Sequence, residues 1–211
     1  MCYADWMITL YGQSRSRASR ALWMLEEIGI AYQHVPIRPY TESRTAEYLQ
    51  INPNGHIPAL DDDGFIIWES LAINLYLAEK YGAVPLWPAL LQDRARVYQW
   101  SFWATNEVEP RIVSIARGLS GKAPDQAAVS SGLQQLAGAF GVLEEQIDGR
   151  TYLLGETFSV VDLNLASILR EPGEDSVGGI DAIDLNPFPG ITRWLDLCSQ
   201  RPANQRVAAL P

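Results

Sequence analysis

Ala18, Ala21, Leu22, Leu25 and Ile28 recur at three- and four-residue spacing within Ser16–Ile28, a helical stripe that Gly29 closes in the usual C-terminal position. Ahead of this helix, Trp6–Tyr11 is an apolar, β-prone run ended by Gly12. Behind it, Ala31–Ile37 reads as a second strand, parallel to the first because a helix-long crossover joins them. A short helix is expected from about Glu42 to Gln50. Two more apolar runs, Ile57–Leu60 and Phe65–Trp68, flank Asp61-Asp62-Asp63-Gly64, whose Asp-Gly step predicts a hairpin. An amphipathic helix over Glu69–Tyr81 completes the order βαβ–α–ββ–α.

The pattern then changes. Val84-Pro85-Leu86-Trp87-Pro88 carries two prolines and no period, which marks a linker over 82–89. Beyond it every periodic stretch is helical: Val97, Ser101, Thr105, Val108 and Ile112 form one stripe, and Val129, Leu133, Leu136, Phe140, Leu143 and Ile147 another. Pro110 has no N–H for the carbonyl of Asn106, so a kink is expected there. The predicted organisation is a small α/β domain over 1–81, a linker over 82–89, and an all-α domain over 90–211.

Composition narrows the function classes. With 47% hydrophobic and 19% charged residues the chain has an ordinary globular balance. A net charge of −9 argues against nucleic acid or an anionic membrane as partner, since both select a basic face. Cys2 and Cys198 stand in no framework spacing and read as thiols of a reducing compartment. No signal peptide or membrane-length apolar run is evident, so a cytoplasmic location is expected. Two histidines and two cysteines, all far apart, make no metal site, and no phosphate-binding glycine loop follows a strand.

The chemistry concentrates in two neighbouring segments, Asn52-Pro53-Asn54-Gly55-His56-Ile57-Pro58-Ala59-Leu60 and Trp68-Glu69-Ser70-Leu71-Ala72-Ile73. A residue before proline is held extended, so Ile57 can offer its backbone groups to a ligand; the plainer reading is a strand entry. Glu69-Ser70 opens a helix, where unpaired N–H groups and the helix dipole favour a carboxylate; the plainer reading is a helix cap. Together they suit an extended, peptide-like, anionic ligand.

These segments, with "WESLAINLYLAEKYG", "YLLGETFSVVDLNLASIL" and the order of elements, resemble the cytosolic glutathione S-transferase superfamily, and bacterial serine-type members in particular. The resemblance is near-continuous over Ile8–Tyr81 and, in the helical part, strongest over Arg94–Arg111 and Thr151–Leu169. It implies a thioredoxin-like N-terminal domain that binds glutathione, a helical domain that takes a hydrophobic electrophile, and a homodimer. It also implies roles: Ile57, before a cis Pro58, for the cysteinyl backbone of glutathione; Ser70 for the γ-glutamyl carboxylate and Glu69 for its amine; His56 for the glycyl carboxylate. The catalytic serine of such members lies at the entry to helix 1. Counting forward from Leu10-Tyr11-Gly12 points to Ser16, counting back from Leu25-Glu26-Glu27 puts Arg15 there, and Ser14 is the second choice with Tyr11 a third. No cysteine stands at that entry, which argues against an enzyme-cysteine redox mechanism. Tyr98, Trp103 and Asn106 are the expected acceptor-pocket residues, against the plainer reading of core or interface aromatics. Ser159–Asp162 matches a helix-starting capping box with a folding role. Other glutathione-dependent reactions on the same scaffold (isomerase, dehalogenase, peroxidase) and a non-catalytic binding or scaffold protein remain open.

Overall fold

The computed structural model describes residues 8–120, 124–169 and 183–210; Cys2 and the expected strand start at Trp6 lie outside them. Contacts divide the chain into two compact units. The first holds the chain up to Gly82 together with the segment from Pro202 onward, and the second runs Ala83–Arg201.

The first unit contains β1 (Ile8–Tyr11), α1 (Ala18–Ile28), β2 (Tyr32–Val35), α2 (Ala46–Leu49), β3 (Ala59–Asp62), β4 (Phe65–Trp68) and α3 (Ser70–Tyr81). The sheet order is β2-β1-β3-β4, with β1 parallel to β2 and antiparallel to β3, and β3 antiparallel to β4. This is the expected βαβ–α–ββ–α arrangement, with local differences that have local causes. Helix α1 starts at Ala18 rather than Ser16, because the Ser16 hydroxyl accepts from the Ala18 amide at 3.1 Å and so ends the preceding turn. It stops where predicted, at a left-handed Gly29 whose N–H donates to the Leu25 carbonyl at 2.9 Å. The expected helix over Glu42–Gln50 is split into a 3₁₀ turn, Glu42–Arg44, and α2, because Thr45 is extended and its hydroxyl caps the Tyr48 amide. The hairpin turn puts both Asp63 (φ 55) and Gly64 (φ 87) in the left-handed region, the pairing a two-residue type I′ turn requires.

The second unit is helical: α4 (Leu91–Trp103), a π-helical turn (Ala104–Val108), α5 (Glu109–Leu119), α6 (Gln126–Ile147), α7 (Val160–Leu169) and α8 (Pro189–Ser199). The irregularity expected at Pro110 is this π turn. The Asn106 carbonyl, which Pro110 cannot serve, instead accepts from the Arg111 guanidinium, and Arg111 also pairs with Glu107 at 2.9 Å. The α6 stripe is buried as its spacing predicts, at Val129, Leu136, Phe140, Leu143 and Ile147. Glu144, flanking that stripe, caps α8 over a long sequence separation by accepting from the Gly190 and Ile191 amides at 2.7 and 2.8 Å.

The last helix, α9 (Pro202–Ala208), departs from the expected boundary, which assigned all of 90–211 to the helical domain. It packs on α1 in the first unit, where Arg206 bonds Glu26 at 2.5 Å and donates to its carbonyl at 3.1 Å. Buried Ala203 and Val207, four residues apart, give α9 a short apolar face, and the Tyr32 hydroxyl supports the ion pair on the same carboxylate at 2.9 Å.

A second carboxylate ties α3 to the sheet. Asp62, buried on β3, accepts from the Tyr76 hydroxyl and Lys80 at 2.7 Å each and from the Tyr81 hydroxyl at 2.8 Å. Burial alone would raise its pKa, but the donors from Lys80, Tyr76 and Tyr81 hold it below the ordinary aspartate range. A carboxyl with a depressed folded pKa contributes stability above its unfolded pKa and loses it as pH falls through the folded one. The acid dependence of stability is therefore expected to be smaller in Asp62→Asn, read as the urea midpoint at neutral pH against that below pH ~4. An unchanged acid dependence would show that this cluster contributes nothing.

Candidate functional site

Of the predicted ligand residues of the first unit, Ile57, Pro58 and Ser70 are linked to α1 through Gly12 and Arg20. Gly12 ends β1 at φ 145, and a Cβ placed there would lie 2.7 Å from the Ala18 Cβ, 3.4 Å from the Ile57 Cβ and 3.5 Å from the Pro58 Cα. The serine-bearing turn and the Ile57–Pro58 step thus meet across a single glycine, with no room for a side chain. Two residues further along α1, the buried Arg20 reaches the Ser70 hydroxyl from its Nη1 at 3.4 Å. One helix touches both anchoring segments.

The Ile57–Pro58 peptide bond is cis. The loop before it is locked from below: the His56 carbonyl accepts from the Tyr48 hydroxyl at 2.8 Å and from Asn52 Nδ2 at 2.7 Å, and Asn52 Oδ1 accepts from the Asn54 amide at 3.0 Å. Burial raises the Tyr48 pKa, so its proton stays in that bond. Ile57 is half-buried, and its own amide and carbonyl have no hydrogen-bond partner among the described residues. Backbone groups left open beside a locked loop are poised for an extended ligand. The His56 side chain is exposed at the loop's outer side.

At the start of α3, Ser70 is buried and Glu69 exposed. Glu69 adopts φ 74 and ψ 113, a conformation that costs a non-glycine residue about 1–3 kcal/mol, and its side chain makes no cap bond. The first bond accepted by Glu69 runs from the Ile73 amide at 2.9 Å, so the amides before it lack a helical acceptor. A strained residue that does not cap, beside uncapped amides, fits an anion site better than a plain helix start.

The serines divide. Ser16 Oγ donates to the Gln13 carbonyl at 2.6 Å while accepting from the Ala18 amide. Ser14 is buried, with 5% of its surface exposed. Tyr11, half-buried at the strand end, has its pKa raised by burial and then by the Asp61 charge, which weakens it as a proton donor.

In the second unit Tyr98 is exposed and sets its ring edge-to-face on Trp87 at 6.1 Å, whereas Trp103 is half-buried and packs on Trp100 at 4.9 Å. Five residues apart, Tyr98 and Trp103 point about 140° from each other around α4. Asn106 is exposed on the π turn. Among the described residues no cluster of three or more metal-ligating side chains occurs, and no helix is long and apolar enough to cross a membrane.

Sequence reasoning did not single out Arg20 or the contact role of Gly12. Arg20 falls off the helical stripe, so it reads as a surface residue; α1 is instead buried on every side over Ala18–Leu25, between β1, α3 and α9.

Residues 7–79 match the family described as glutathione S-transferase, N-terminal domain, and residues 87–202 match its C-terminal domain. The chain belongs to the glutathione S-transferase family. It is 31% identical to glutathione S-transferase GstB of Escherichia coli over 97% of this chain and 99% of that protein. To glutathione S-transferase 3 of Zea mays it is 32% identical, over 97% and 95%. A glutathione transferase of Burkholderia graminis, solved with two glutathione molecules per subunit, superposes with a TM-score of 0.85 at 28% identity, over 97% of this chain and 88% of that one. The thioredoxin-like first domain and the helical second one are those of the family.

Proposed function

We propose that this glutathione S-transferase family member binds glutathione in its first unit and uses the bound thiolate to attack a hydrophobic electrophile, forming a C–S bond and expelling the leaving group. Ile57 pairs with the cysteinyl backbone, Ser70 and the open amides of α3 take the γ-glutamyl carboxylate, Glu69 takes the amine, and His56 reaches the glycyl carboxylate. The observation that carries this reading is the unpaired Ile57 backbone, set by Gly12 against the serine-bearing turn. Catalysis is then thiolate stabilisation and proximity rather than acid–base work by the protein. The exposed Tyr98 and Asn106 and the half-buried Trp103 are the proposed acceptor-side residues. Exposed Phe65, Ile66 and Trp68 on β4, and Leu91 and Phe102 on α4, support a homodimer. The proposed location is cytoplasmic.

Ser16 is the proposed thiolate donor and Ser14 the second. One observation favours a rival reading, a glutathione-binding protein without turnover: the Ser16 proton is already given to the Gln13 carbonyl, and serving a thiolate requires breaking that bond. The ultraviolet spectrum of bound glutathione, titrated with pH, decides between them. Turnover requires a thiolate band about one to two units below the free-thiol pKa of about 8.5. Ser16→Ala should then raise the bound-thiol pKa by about one unit and cut turnover at neutral pH about tenfold, with glutathione affinity within about threefold. Unchanged turnover in both Ser16→Ala and Ser14→Ala would remove the serine loop from the mechanism, and binding without a shifted band would leave the rival reading.

A further inference from the structure

Both peptide groups of Gly12 are held by β2. Its N–H donates to the Val35 carbonyl at 2.9 Å, continuing the parallel ladder one residue beyond the strand. Its carbonyl, which the ladder does not use, lies 2.7 Å from Nε2 of His34. A carbonyl only accepts, so this contact requires the proton on Nε2. His34 stands opposite Leu10 in the register, half-buried, and its partner peptide leads directly into Gln13–Arg17. The geometry points to His34 as a positioning residue for the serine-bearing turn: by fixing the direction of the Gly12 carbonyl it fixes where the chain leaves β1 and enters the turn that carries the serines.

Three features make this more than a strand-edge contact. Gly12 at φ 145 has the conformational freedom of glycine, so the peptide does not hold its own orientation and needs an external restraint. Within the turn that follows, short-range bonds run from Ser16 Oγ to the Gln13 carbonyl at 2.6 Å and from the Ser19 amide to the Ser16 carbonyl at 2.9 Å. Those bonds move with the turn and cannot register it against the sheet. His34 and Val35 are the residues of β2 that do so, and the Val35 bond survives any side-chain change. The His34 side chain acts through its bond to Gly12.

The inference rests on the thiolate reading above, and the test separates the two. His34→Phe keeps a flat ring without a donor, and His34→Gln restores an N–H at similar reach. In His34→Phe the bound-thiol pKa is expected to rise by about half to one unit, with the rate at pH ~6.5 falling about three- to tenfold, the KM for glutathione within about threefold, and amides of Gln13–Ala18 exchanging faster with solvent. His34→Gln should return the thiol pKa most of the way. A thiol titration in His34→Phe identical to that of the unsubstituted protein overturns the inference, as does a shift that His34→Gln fails to reverse, since ring packing alone would then be at work. If the unsubstituted protein itself shows no depressed thiol pKa, the thiolate reading falls and this inference with it.

Discussion

Replacing Asp162 with alanine is expected to lower unfolding stability by about 4 kcal/mol, a large share of the ~5–15 kcal/mol available to a typical domain. The carboxylate is wholly buried at the start of α7 and accepts from the Leu153 amide at 2.8 Å, the Ser159 amide at 3.0 Å, the Ser159 hydroxyl at 3.1 Å and the Trp194 indole at 3.0 Å. It therefore caps its own helix, closes the loop at Leu153 and ties in α8 through Trp194, itself fully buried. Alanine leaves those donors facing a dry interior, and each unsatisfied buried N–H costs roughly 1–3 kcal/mol before relaxation. Asp162→Asn keeps one acceptor oxygen and should lose about half as much. Urea unfolding followed by tryptophan fluorescence measures both. A loss under about 1 kcal/mol for the alanine variant would mean that the loop and α8 re-pair elsewhere.

Most of this architecture was readable because it is carried by short-range rules. The 3.6-residue stripe of α1, the Gly29 stop, the Asp63-Gly64 hairpin and the Ser159–Asp162 box each need only a few adjacent residues, and each stands where its pattern put it. What escaped was set by distant pairs. The docking of α9 on α1 includes a pair between Arg206 and Glu26, and nothing local to either residue predicts the other. Arg20 lies off the apolar stripe of α1; packing by β1, α3 and α9 turns that helix's whole first half into core. The ligand segments were visible as motifs, but the relation between them was not, because it runs through glycine. A residue with no side chain carries no chemical label, and only the space a Cβ would occupy reveals its part.

Gly12→Ala is therefore a strongly disruptive small change in the first unit. The added Cβ meets the Ala18 Cβ at 2.7 Å, a distance that a side chain cannot relieve by rotating, because the obstacle is a Cβ fixed to the first turn of α1. The φ of 145 adds strain for any L-residue. Relief comes only by moving the start of α1 away from Ile57 and Pro58, which opens the proposed glutathione site along its seam. The expected outcome is a stability loss of about 3 kcal/mol and a glutathione Kd raised more than tenfold, about 1.4 kcal/mol or more of binding. Gly29→Ala is the control. It has a left-handed φ of 73 but nothing within 4 Å of the new Cβ, so it should lose only about 1 kcal/mol of stability and leave glutathione affinity unchanged. Equal effects of the two variants on affinity would show that backbone strain, not the close approach at Gly12, governs the site. A loss confined to Gly12→Ala would show that the contact between α1 and the Ile57–Pro58 step is what holds the ligand residues in place.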